Sequence, residues 1–272
     1  MPANVLTIDS PKKVRLRGII LPNEHGSWGF LFEPLLAAVV VAPTLSAFWI
    51  SVFVTGAFLA RQPLKVFASN WKTRRNPDET AVAFRYTLYY GTVFLIGLLG
   101  SIYLLPLLAF VPFVLVVPLA IYQLYCDVSR KSRQLIPELT GAVAISSSAA
   151  VIALAGGWSV AAAVSLWGIF IARMIPSIGY VRNRLKLEKG KEYSGISVAI
   201  VHFLALGFIG VLSGFGLASE LTLAIFVILL GRAVLGLSAY RRKMKAMKIG
   251  IWEVIYGVLV VLSVIVGHYL NI

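Results

Sequence analysis

The chain has 272 residues, of which 59% are hydrophobic and 13% charged, with a net charge of +14 and a mean hydropathy of +0.86. A soluble domain is nearer half apolar and a quarter charged, so this chain has too little polar surface to cover a soluble particle, and a bilayer is its natural solvent. The basic excess belongs to no soluble-sized module, which excludes a nucleic-acid-binding domain, and the single cysteine, Cys126, excludes an intrachain disulfide or a multi-cysteine metal site.

The predicted elements, in chain order, are a polar segment over 1–27 and then one transmembrane domain over 28–272. The first segment holds Lys12, Lys13, Arg15 and Arg17 but no apolar core ahead of a small-residue cleavage site, so no cleavable signal is expected there. Nine apolar spans follow, at about 28–43, 46–66, 83–104, 106–125, 138–156, 158–178, 196–214, 220–240 and 249–270. A helix needs about 20 residues to cross a hydrocarbon core of about 30 Å. Most of the segments meet this length, and the first is short. Tight turns are expected at Leu105-Pro106 and Gly156-Gly157, and the longest polar loops near 68–82 and 182–194.

All 25 lysines and arginines fall in five clusters, at 12–17, 61–85, 130–133, 173–191 and 232–248. Every second connection is basic, and the connections between them carry one charge, Glu220. Positive loops stay inside. The reading is therefore an all-α protein of the inner, cytoplasmic membrane that crosses it nine times, with its N-terminus cytoplasmic and its C-terminus outside. Membrane lipids are the expected partners, and no nucleic acid is. The sequence does not define an oligomeric state.

A charge at the centre of a membrane helix costs at least about 2.5–3.5 kcal/mol, so charges that stay there are paired or functional. Glu33 lies in the first span, eight residues after His25, on roughly the same helix face. The string Pro22-Asn-Glu-His-Gly-Ser-Trp28 supplies Glu24 and His25 as acid–base candidates beside Glu33. Their plain alternative is a helix start and an interfacial tryptophan. Arg61 and Lys65, four apart, end the second span on one face, and Arg173 and Arg232 lie one and two turns inside the sixth and eighth spans. Tyr180, Arg182 and Glu138 stand at neighbouring basic ends. These groups define an expected anion-facing, inward-opening cavity. The plain alternative is that the arginines snorkel to headgroups and that Glu138 and Glu253 sit near helix starts. The three histidines, 25, 202 and 268, are too scattered for a metal motif, and no metal or other cofactor is expected.

The layout resembles the UbiA superfamily of intramembrane prenyltransferases: nine helices, an internal N-terminus, large cytoplasmic loops after helices two and six, and a short connection from Tyr122 through Arg130-Lys131 to Pro137-Glu138 and Gly141. That resemblance implies aspartate-rich motifs holding Mg²⁺ against a prenyl diphosphate at the two large loops. The chain departs from the pattern there. Arg61 to Asn70 has no acid before Asp78, and Ser177 to Arg184 none before Glu188, which argues against ordinary magnesium-dependent prenyl transfer. A closer resemblance is to the YwiC-like family of bacterial membrane proteins, carried by Leu21-Pro-Asn-Glu-His-Gly-Ser-Trp28, Glu33-Pro34, Phe58-Leu-Ala-Arg-Gln-Pro-Leu-Lys65 and Ile175-Pro-Ser-Ile-Gly-Tyr-Val-Arg182. It implies a divergent UbiA-like membrane protein and carries no catalytic residues across. Two readings stay open. One is a metal-independent enzyme acting on an anionic lipid or isoprenoid, with Glu24, His25 and Glu33 catalytic and Arg61, Lys65, Arg173, Tyr180, Arg182, Arg232 and Glu138 binding substrate. The other is a non-enzymatic carrier or binding protein for an anion or lipid.

Overall fold

A computed structural model describes residues 16–22, 25–74 and 76–272, apart from the side chain of His25. Glu24 and the His25 imidazole therefore lie outside the described residues. Helices α1 Leu16–Ile20, α2 His25–Val41, α3 Leu45–Thr73, α4 Pro77–Leu104, α5 Val111–Val128, α6 Leu135–Ser146, α7 Ser148–Ala155, α8 Val160–Glu188, α9 Gly195–Gly214, α10 Glu220–Leu237 and α11 Ala246–Leu270 follow one another, with a 3-10 turn over Leu107–Phe110 leading into α5. Among the described residues there is no strand. Eight helical stretches are long and apolar enough to cross a membrane, and Gly26–Val41 is a shorter apolar ninth. The fold is that of an all-α, multi-pass membrane protein.

The two tight turns lie where the sequence predicts them. Leu105 and Pro106 separate α4 from the 3-10 turn, and Gly157, at φ +81°, makes the left-handed step between α7 and α8. Ser159, Ser194 and Ser219 each accept a hydrogen bond from a backbone N–H three residues on, which caps α8, α9 and α10.

The basic runs are not loops. Helix α3 continues to Thr73 and α8 to Glu188, so the polar connections shrink to 74–76 and 189–194. At 29 residues each, α3 and α8 are about 43 Å long and overrun the hydrocarbon core. After Pro63 in α3 and Pro176 in α8, both of which the helices accommodate, no further proline stops either one, and Lys72 and Lys186 suit the negative end of the helix dipole.

The fifth predicted span is broken, into α6 and α7, at Ser147. The hydroxyls of Ser146, Ser147 and Ser148 donate to the carbonyls of Val143, Ala144 and Ile145 at 3.0, 2.6 and 2.8 Å. Such back-bonding competes with the helix's own ladder and bends it. The Trp167 indole N–H also donates to the Val143 carbonyl, at 3.2 Å, helping to satisfy the helix backbone at the break.

Helix α7 sits at the centre: Ser148 to Ala153 are all buried, and α2, α3, α5 and α8 pack around it. Helices α9, α10 and α11 close the bundle between α8 and α2. Helix α4 covers α3 from outside through glycines: Gly56 lies on the Phe94 backbone and Gly97 on the Phe53 backbone, so that a Cβ on either would overlap its neighbour. Small residues permit such close approach in membranes. The outward faces of α4 and α5 carry exposed Leu95, Leu99, Val114 and Leu115, as lipid contact requires.

Contacts gather the basic clusters at one end of the bundle. Gln62 donates to the Gly18 carbonyl, Arg61 pairs with Asp127, Arg182 with Glu138, and Arg241 with Glu188. At the other end, Trp158 stacks on His268, Gly267 packs on Ser219, and the Tyr269 hydroxyl donates to the Val40 carbonyl at 2.8 Å. The C-terminal ends of α2 and α11 therefore lie together, away from the basic end, as nine crossings require.

Candidate functional site

Charged and polar side chains from five helices meet inside the bundle: Glu33 of α2, Arg173, Ser177 and Tyr180 of α8, His202 of α9, Arg232 of α10, and Glu253 and Tyr256 of α11. Glu33, His202 and Glu253 each lie seven or eight residues into their helices, about 10–12 Å from the helix start. Glu33 and Glu253 enter from the basic end, and the network sits in that half of the bundle.

Arg173 is the hub. Its Nε lies 3.5 Å from Glu33 Oε2, its Nη1 3.4 Å from Glu253 Oε2, and its Nη2 donates to the Glu253 carbonyl at 2.8 Å. Its Nη1 also donates to the Ser177 hydroxyl. Arg232 pairs with the other Glu253 oxygen, and its guanidinium lies over the Tyr180 ring at 4.1 Å and the Tyr256 ring at 4.9 Å. Cation–π contact of this kind offsets part of a desolvated charge. The His202 Nδ1 faces the Val198 carbonyl at 2.8 Å and must donate to it. Its Nε2 is then the acceptor that faces Arg232 Nη2 at 3.4 Å.

The network holds two guanidiniums and two carboxylates, so it is balanced without a ligand. Balance is what allows it to stay in the membrane, since an unpaired buried charge costs several kcal/mol. The polar atoms are not all satisfied: among the described residues Glu33 Oε2, Arg173 Nε and Arg232 Nε have no hydrogen-bond partner. Glycines make room for the carboxylate, since a Cβ on Gly257 would overlap the Glu33 carboxyl.

The other predicted binding residues form two separate groups. Arg61 grips the fully buried Asp127 through a fork of 2.5 and 2.9 Å, and Lys65 donates to the Ser132 hydroxyl at 2.8 Å, so both reach the α5–α6 connection from one face of α3. Arg182 donates to Glu138 at 2.8 Å and to the Arg133 carbonyl at 3.1 Å. Glu33, Arg173, Tyr180 and Arg232 come together; Arg61, Lys65, Arg182 and Glu138 do not join them. Among the described residues no group of three or more His, Cys, Asp or Glu could hold a metal.

From the sequence, Glu253 counts among the charges of the inward half, with a helix start as its alternative, but not among the site residues, and His202 and Tyr256 are missed. The available signal for His202 was its place inside a span otherwise nearly free of polar groups. A cavity of about 640 Å³ opens at the other end of the same helices, lined by Leu166, Ile169, Ser213, Thr222, Val264 and His268 among others.

Residues 21–153 match the model of a family described as YwiC-like protein. The match runs from the end of α1 through α7 and takes in Glu33, Arg61, Lys65, Asp127 and Glu138, while Arg173, His202, Arg232 and Glu253 lie beyond it. No curated protein and no solved structure matches the chain. Over residues 21–153, just under half its length, the chain is similar to the YwiC-like family, and three of the four strings that carry the resemblance fall inside the match.

Proposed function

We propose that the protein binds an anionic ligand within the membrane at the guanidiniums of Arg173 and Arg232, and that it serves as a carrier or binding protein for that anion. The basic end of the bundle faces the cytoplasm in this reading, and the membrane is the cell's inner one. The observation that carries it is the pair of arginines with buried side chains, from α8 and α10: Arg232 has an Nε–H that no described acceptor takes, and the Arg173 Nε meets only Glu33 Oε2, at a long 3.5 Å. A phosphate or carboxylate can accept from those N–H groups, and guanidinium suits either through charge-assisted bonds. The ligand then displaces Glu33 or Glu253 from its guanidinium partner.

A second reading is a metal-independent enzyme on a UbiA-like helical scaffold, acting on an anionic lipid or isoprenoid. Glu33 favours it, because its Oε2 accepts no hydrogen bond from a described residue and lies 3.5 Å from Arg173 Nε inside the network. Glu24 and His25 are its other acid–base candidates. Arg61, Lys65, Arg182 and Glu138 form the basic rim that the substrate meets first.

Proteoliposomes separate the two. In the carrier reading, uptake of inorganic phosphate or a small carboxylate disappears in Arg173→Gln and Arg232→Gln. In the enzyme reading, farnesyl phosphate binds and is converted, and no uptake occurs. Neither binding nor uptake of either kind of anion overturns both.

A further inference from the structure

The cavity and the charged network lie on the same faces of the same helices. On α8, Ala162, Leu166 and Ile169 line the cavity, and Arg173 follows at the next helical step on that face. On α11, Val264 and Gly267 line the cavity, and Val260, Gly257 and Glu253 continue the stripe downward. On α9, Ser213 lines it, with Ile209, Ala205 and His202 below. Helix α10 supplies Thr222 to the cavity and Arg232 to the network, with Leu229 one turn from the arginine.

Among the described residues, buried apolar side chains occupy the helix positions between the two, Phe226 of α10 among them. Ile169, Ile209, Leu229 and Val260 are each at most 3% exposed and belong to one contiguous core. The cavity wall above them carries polar groups: Ser213, Ser219, Glu220, Thr222, His268 and Asn271 are among its lining residues, the Ser219 and Thr222 hydroxyls lying 2.9 Å apart. Its rim residues Gly216, Glu220 and Asn271 are exposed.

We infer that α8, α9, α10 and α11 enclose a passage for a small hydrophilic anion, running from the cavity at the non-basic end to Arg173 and Arg232 and closed by a plug of Ile169, Ile209, Leu229 and Val260. The inference rests on the proposed binding of an anion at the two arginines and adds its route. An apolar constriction between two polar compartments is a gate that closes by excluding water. The guanidiniums beyond it select the sign of the charge, and the volume of the cavity admits a small solute with part of its hydration.

Cysteine labelling tests the route independently of anion binding. In a Cys126→Ser background, a membrane-impermeant thiol reagent is applied from the non-basic side to Ser213→Cys, in the cavity, and to Ser177→Cys, at the level of the network. Ser213→Cys is expected to react readily and Ser177→Cys slowly. Thinning the plug with Ile209→Val and Val260→Ala together, or with Val260→Ala alone as the milder variant, speeds labelling of Ser177→Cys by about tenfold, the order expected when buried methyl groups leave a closed contact. Labelling after denaturation confirms that the thiol is present, and a monodisperse elution profile that the variant is folded. If Ser213→Cys is inert, or if Ser177→Cys in folded protein reacts at the same rate with either plug, the passage is wrong. Loss of anion binding with this labelling pattern intact instead faults the binding reading alone.

Discussion

Arg173 touches both carboxylates of the intramembrane network, so its removal leaves Glu33 without its charge partner and Glu253 with Arg232 alone. Breaking one side of a buried ion pair costs about 3–5 kcal/mol, whereas removing both partners is far milder. Arg173→Gln is therefore expected to lower the thermal midpoint in detergent sharply, and Arg173→Gln with Glu33→Gln to recover most of the loss. Equal destabilisation by the single and double variants would show that the charges are not coupled. The same logic applies to Asp127, which is fully buried and held only at its fork with Arg61 among the bonds seen. Asp127→Asn should destabilise by a similar amount. At this scale the sequence revealed which residues were anomalous but not whom they meet. Glu33, Arg173 and Arg232 stand out because a charge in an apolar window is costly wherever it points. Their meeting with His202 and Glu253 depends on how helices far apart in sequence pack, and no local spacing encodes that.

Helix pairs are specified by surface relief. Gly56 and Gly97 let α3 and α4 touch backbone to backbone, while Gly91, on the same α4, has open space where a Cβ would go. Gly97→Leu is expected to cost at least the 1–3 kcal/mol typical of overpacking and to reduce the yield of folded protein, with Gly91→Ala near neutral. Thermal midpoints of the two variants check this, and equal midpoints would contradict it. In α6–α7, Ser147→Ala removes the hydroxyl bonded to the Ala144 carbonyl and is expected to cost about 1 kcal/mol. The spans were legible because transfer into a bilayer is a sum over about 20 residues and tolerates errors in any one of them. The broken fifth span was not, because Ser146-Ser147-Ser148 reads as a mildly polar stretch until the back-bonds to their own carbonyls are seen. The polar ends of α3 and α8 were read as loops because hydropathy falls there; in α8 the run Arg184 to Glu188 keeps good helix formers, and in α3 no proline or glycine follows Pro63 to end the helix before Thr73.

For the whole molecule, the five basic clusters set orientation, and contacts among Arg61, Asp127, Arg182, Glu138, Arg241 and Glu188 bring four of their neighbourhoods to one end. Reporter fusions after residues 75 and 190 are expected to face the cytoplasm, and fusions at 157 and 217 the opposite side; the reverse pattern would refute the orientation. The same clusters suggested an open, anion-facing vestibule. All four arginines counted toward it are instead matched to carboxylates: Arg61 to Asp127, Arg173 to Glu33 and Glu253, Arg182 to Glu138, and Arg232 to Glu253. Counting charge along a chain gives the net excess and not its pairing. An anion that binds here must therefore compete with carboxylates already in place, which favours exchange over tight, static capture.

The most direct test is a titration of the purified protein in nanodiscs with inorganic phosphate and, separately, with farnesyl phosphate, followed by tryptophan fluorescence. Trp252 adjoins Glu253, and its ring lies 5.9 Å from that of Tyr256, beside the network. At least one of the two anions should give a saturable change that weakens by about tenfold or more in Arg173→Gln and in Arg232→Gln, the effect of losing charge-assisted bonds worth about 1.5–3 kcal/mol. Saturation unaltered in both variants, or none with either anion, would contradict anion binding at the buried arginines.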